Sequence, residues 1–170
     1  MTAALILDRE NRIVCCFLAA ILHELGHLLC MRLRSVRVRG FRLRLFDFLI
    51  EADEPGDFSS ELLITAGGPA ASFISAAVFM PFSPRLSLPN LALGIFNLLP
   101  VMSLDGGRLL YLLLERRFSL RICGAVLRIT TFIFMLPLSA AGIYLLMVSR
   151  YNYSLLAISL YLLAVLIVKR

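Results

Sequence analysis

This 170-residue chain is dominated by long, predominantly apolar runs, several of them 18 residues or longer. A block of that length is the signature of a helix that crosses a bilayer. Five spans are expected, at about 13–31, 61–80, 90–114, 125–148 and 153–168. The hydrophobic share, 60%, exceeds the 45–50% or so of an ordinary soluble domain. The expected fold class is an all-α polytopic membrane protein of about five transmembrane helices, three of them forming a core. With no Ser/Gly-rich linker and no repeat, residues 1–170 read as one integral-membrane domain, with a core at about 13–115 and accessory helices at about 120–168.

One stretch breaks the pattern. Between residues 32 and 54, Val36, Val38, Phe41, Leu43 and Leu45 alternate with Arg37, Arg39, Arg42 and Arg44, and Gly40 interrupts the phase. Alternation predicts strands, here a small β-hairpin on the membrane surface after the first helix. An acidic turn region follows, with Glu51, Asp53, Glu54, Pro55, Gly56 and Asp57.

The net charge of +6 comes almost wholly from Arg. Because the Arg residues flank apolar runs, topology and lipid headgroups account for them, and nucleic acid is not an expected partner. Clusters follow the first span (Arg32 to Arg44), the third (Arg116, Arg117, Arg121) and the fifth (Lys169, Arg170). They place those three ends on the cytoplasmic side. Cys15, Cys16, Cys30 and Cys123 show no C-x-x-C spacing and read as small buried apolar residues. The N-terminal TAALIL is too short for a signal core and reads as the tail of a spanning helix whose beginning is absent.

Within the first span stands His23-Glu24-Leu25-Gly26-His27. Helical positions i and i+4 share a face, so both imidazoles point one way, and neutral imidazole is a good Zn²⁺ ligand. Glu24 lies beside the metal position, where it can act as general base for an attacking water. Two His and one Glu are costly in hydrocarbon and mark function there. A catalytic zinc usually takes a third protein ligand, and Asp105, inside the third span, is the outstanding candidate. Glu61 and Glu115 sit at span edges. His27 lies five residues before Arg32 and Asp105 three before Arg108, so both fall within about 10 Å of the cytoplasmic boundary. Pro100 is expected to kink the third span and Gly106-Gly107 to loosen it, opening a wet cavity for hydrolysis.

HELGH at 23–27, AGGPAAS at 66–72 and NLLPVMSLDGGRLL at 97–110 together resemble the site-2 protease family of intramembrane metalloproteases. The similarity covers roughly residues 13–115. It looks strongest toward the compact branch containing stage IV sporulation protein FB, which cleaves a membrane-associated pro-sigma factor. The resemblance implies one Zn²⁺ per chain on His23, His27 and Asp105, with Glu24 as catalytic base and no other cofactor. Asn97 and Ser72 match positions that could orient substrate or an oxyanion, although the family often has Asn where Ser72 stands. It implies a membrane-tethered protein substrate, the lipid bilayer and a regulatory membrane protein as partners. It also implies a bacterial cytoplasmic or forespore membrane, with the active site toward the cytoplasm. The family's further helix before HELGH is not recognisable, and neither a PDZ insertion nor a cystathionine-synthase-like domain fits. The alternative function is a zinc-binding membrane scaffold or metal transporter without protease activity.

Overall fold

A computed structural model describes residues 11–44, 47–52 and 56–149. The TAALIL segment and the expected fifth span, 153–168, lie outside the described residues. The chain divides into two compact units, Met1–Asn97 and Leu98–Arg170.

In the first unit, α1 spans Arg12–Leu33. At about 1.5 Å per residue it reaches about 33 Å, enough for a hydrocarbon core about 30 Å thick. It ends in a tight turn: Ser35 takes a left-handed φ of 56°, and Val36 N–H donates to the Met31 carbonyl at 2.9 Å. That closure satisfies a terminal carbonyl and redirects the chain into a strand. Strands β1 (Val38–Arg44) and β2 (Asp47–Ala52) pair antiparallel, with Arg44 opposite Asp47 and Phe41 opposite Ile50. The pairing slips between Val38 and Gly40, the place where the sequence alternation loses its phase. Glu51, expected in the acidic turn, is part of β2.

Helix α2 spans Phe58–Phe79. Asp57 caps it, accepting the Ser60 N–H at 3.1 Å and a hydrogen bond from the Ser59 hydroxyl. Those bonds, the Ser59 hydroxyl first, hold the Asp57 carboxyl at about 2, below its ordinary 3.8. Helix α3 covers Pro84–Asn97 and packs on both α1 and α2. Pro84 opens α3 and Pro89 lies inside it, so the helix begins within the gap expected between the spans 61–80 and 90–114. Proline suits a first helical position, where the missing N–H has no partner to lose.

In the second unit, residues 98–104 are non-helical, α4 spans Asp105–Glu115 and α5 spans Leu120–Ser149. The expected continuous span at 90–114 is therefore two helices, α3 and α4, joined by an apolar loop. Their 14 and 11 residues reach only about 21 and 16 Å, so neither crosses a bilayer alone. Pro100, which lacks an N–H, falls in the loop rather than at a kink. Val101 is fully buried, and Met102 N–H donates to the Thr131 hydroxyl of α5 at 3.0 Å.

Among the described residues, three segments are long and apolar enough to cross a membrane: Ile13–Leu33, Phe58–Phe79 and Leu120–Tyr144. They present exposed Phe17, Leu29, Ile74, Ile133 and Leu136, which suits lipid. Of the cysteines only Cys123 is buried, and Cys16 is exposed. The chain is thus an integral membrane protein with a helical framework.

Candidate metal centre

His23 and His27 stand one turn apart on α1, their rings edge to face with centroids 5.0 Å apart. His23 is buried and His27 half-buried. What holds them is a single face of α2. Ile64, Gly68 and Ser72 follow one another at four-residue spacing, so they line up along that helix. The His27 Nδ1–H donates to the Ile64 carbonyl at 2.8 Å. His23 Nδ1 lies 2.9 Å from Ser72 Oγ. With both Nδ1 atoms engaged, the Nε2 atoms are the nitrogens through which these rings could take a metal.

Gly68 sits between these two anchors. A Cβ at Gly68 would fall 2.7 Å from His23 Nε2 and would overlap His27 Nε2. Both Nε2 atoms therefore converge on the small space that this glycine leaves open. The convergence of two neutral nitrogen donors, each oriented from behind, fits a Zn²⁺ ion. The helices come this close because Gly26 faces Gly67: a Cβ at Gly26 would run into the Gly67 carbonyl, and one at Gly67 would lie 2.7 Å from the Gly26 oxygen. Small residues at such a crossing are the usual way for membrane helices to pack backbone to backbone. Beside the crossing lies a shallow apolar groove of about 190 Å³, lined by Leu29, Cys30, Leu63 and Ile74 among others. Lacking polar groups, it stands apart from the chemistry.

Glu24 follows His23 on α1 and is half-buried. Ser72, expected to orient substrate or an oxyanion, is fully buried against His23. Asn97 is the last residue of α3 and donates from Nδ2 to the Leu93 carbonyl at 3.1 Å. In the second unit, Asp105 is the first residue of α4, where the positive end of the helix dipole favours a carboxylate. Gly106 and Gly107 are buried and let the preceding loop fold back: a Cβ at Gly107 would lie 2.6 Å from the Val101 carbonyl carbon, and one at Gly106 2.5 Å from the Leu99 oxygen. They shape the turn before the carboxylate by close approach rather than by loosening a span.

Sequence reasoning did not find the Ile64 carbonyl, and it gave Gly68 no role beyond its place in the AGGPAAS motif. A main-chain acceptor leaves no residue-type signature, and the Ile64–Gly68–Ser72 spacing gains meaning only once α2 is known to lie antiparallel beside the histidines.

The profile of peptidase family M50 matches residues 85–137. Zinc metalloprotease MJ0392 of Methanocaldococcus jannaschii is 32% identical over 117 residues, covering 61% of this chain and 34% of that protein. Stage IV sporulation protein FB of Bacillus subtilis is 29% identical over 125 residues, covering 66% and 43%. The chain thus spans well under half the length of these curated relatives. The solved structure of the site-2 protease from Methanocaldococcus jannaschii is similar with a TM-score of 0.64 and 25% identity, over 95% of this chain and 80% of that one. Over these residues the chain is similar to members of peptidase family M50, and its fold is similar to that of a site-2 protease.

Proposed function

We propose that this chain is an intramembrane zinc metalloprotease that cuts a membrane-embedded or membrane-tethered protein. The observation that carries the reading is the convergence of the His23 and His27 Nε2 atoms beside Gly68, each ring anchored through Nδ1. His23, His27 and Asp105 would hold one Zn²⁺, a donor set of two imidazoles and a carboxylate of the kind catalytic zinc uses. Bound there, the ion supplies Lewis acidity for activating water and polarising a carbonyl. Glu24 takes the proton from the attacking water and returns it to the leaving amine. Asn97 orients the substrate backbone. Processing of a membrane-associated transcription factor during sporulation is the narrower reading that similarity to stage IV sporulation protein FB supports, with the site facing the cytoplasm.

The test is cleavage of membrane-tethered substrates by the full chain in proteoliposomes with added Zn²⁺. Glu24→Gln, nearly isosteric, should keep zinc and folding while cleavage falls by about 10²–10⁴-fold. His23→Ala and Asp105→Ala should lose zinc and cleavage together. Parental cleavage by Glu24→Gln would refute the mechanism, and metal flux into sealed vesicles without cleavage would favour a transporter.

A further inference from the structure

The two imidazoles are anchored by different chemistry. His27 is tied to a backbone carbonyl, an obligate acceptor, so its Nδ1 must carry the proton. His23 is tied to a serine hydroxyl, which can donate or accept. A neutral imidazole has one N–H. If Ser72 donated to Nδ1, the proton of His23 would sit on Nε2 and occupy the lone pair that a metal needs. Ligation through Nε2 therefore requires the other arrangement. We infer that Ser72 is the positioning residue of the metal centre, its hydroxyl accepting the His23 Nδ1–H and so fixing the tautomer and ring plane that present Nε2 to zinc. The inference deepens the proposed function and rests on His23 being a zinc ligand.

The surroundings leave this hydroxyl little else to do. Ser72 is fully exclusive of solvent and His23 only 4% exposed, so water does not compete for Nδ1, and a buried N–H deprived of its acceptor is costly. Gly94 of α3 backs the serine: a Cβ there would stand 3.2 Å from Ser72 Cβ. The side chain is thus wedged between α1 and α3 with its oxygen on the imidazole. A substrate-contacting role would need an accessible oxygen.

The experiment measures zinc affinity of the metal-free full chain in detergent, by competition with a chelator, alongside thermal unfolding. Ser72→Ala removes one atom from a packed site, so the fold should survive. Losing a partner behind a metal-bound histidine typically costs about 10–100-fold in metal affinity, and that loss is the expected result. Ser87→Ala is the control. Ser87 is also buried, and its hydroxyl donates to the Ala76 carbonyl at 2.7 Å, away from the histidines. It should lower the unfolding temperature but leave zinc affinity unchanged. Parental affinity in Ser72→Ala, with affinity lost in His23→Ala, would overturn the role of Ser72 alone. An equal affinity loss in Ser87→Ala would overturn it too, as general softening. A parent chain that binds no zinc, or a His23→Ala variant that binds it normally, would overturn both this inference and the proposed function.

Discussion

The clearest test of the site at the residue scale is a side chain that is absent. Gly68→Ala would put a methyl group where both Nε2 atoms converge. What must give way are the ends of two imidazole rings, which can rotate more readily than a helix can shift. The expected outcome is loss of zinc with little change in unfolding temperature, read by metal analysis and thermal melts of the purified protein. Full zinc occupancy in this variant would mean that the metal sits elsewhere. Asp57 gives a second test at this scale. Its carboxyl titrates at about 2 instead of 3.8, so the cap stabilises the folded chain above the ordinary value and loses that contribution as the pH falls through the lowered one. Asp57→Ala should therefore melt below the parent at pH 5, and the gap should narrow between about pH 4 and pH 2. A gap independent of pH would show that the charged carboxylate is not the cap. The same scale shows what the sequence could reveal. The H-E-x-x-H pair was legible because its meaning lies within one helix turn. Gly68 was not, because a glycine that makes room has no chemistry of its own until the neighbouring helix is in place.

At the scale of elements, the segment from Asn90 to Leu114 is the instructive case. Its hydropathy reads as one span, since the loop Leu98–Leu104 is nearly as apolar as the helices on either side. Hydropathy records burial and is blind to backbone hydrogen bonding, so it cannot separate one long helix from two short ones. Pro100 and Gly106-Gly107 marked the irregularity, yet gave no sign of the loop folding back on α4. That loop is fastened by α5, read from sequence as accessory: the Thr131 hydroxyl accepts Met102 N–H and donates to the Leu127 carbonyl at 2.7 Å. Thr131→Val keeps the shape and removes the acceptor. The expected cost is about 1–3 kcal/mol for a stranded N–H, and amide exchange should quicken across residues 98–104 while α1 stays protected. Unchanged exchange in that loop would show that Thr131 does not secure it.

For the whole molecule, the open quantity is orientation. By the positive-inside rule, the Arg-rich stretch after α1 and Arg116, Arg117 and Arg121 after α4 would place both ends in the cytoplasm. The segment 84–115 would then begin outside and end in the cytoplasm. Reporters inserted at residue 82 and at residue 118 of the full chain should read as external and cytoplasmic respectively. Both reading on one side would mean that this segment dips in and returns, and the orientation drawn from the basic clusters would fail.

The unequal anchoring of the two histidines has a consequence for how such a site withstands mutation. The carbonyl that turns His27 belongs to the backbone of α2, and every residue at position 64 that keeps the helix supplies the same oxygen. The hydroxyl that turns His23 is a side chain, and any change at position 72 alters it. Genetic drift can therefore leave one imidazole untouched while it retunes the other, which makes position 72 the natural place for zinc affinity to diverge among descendants of this chain without loss of the fold.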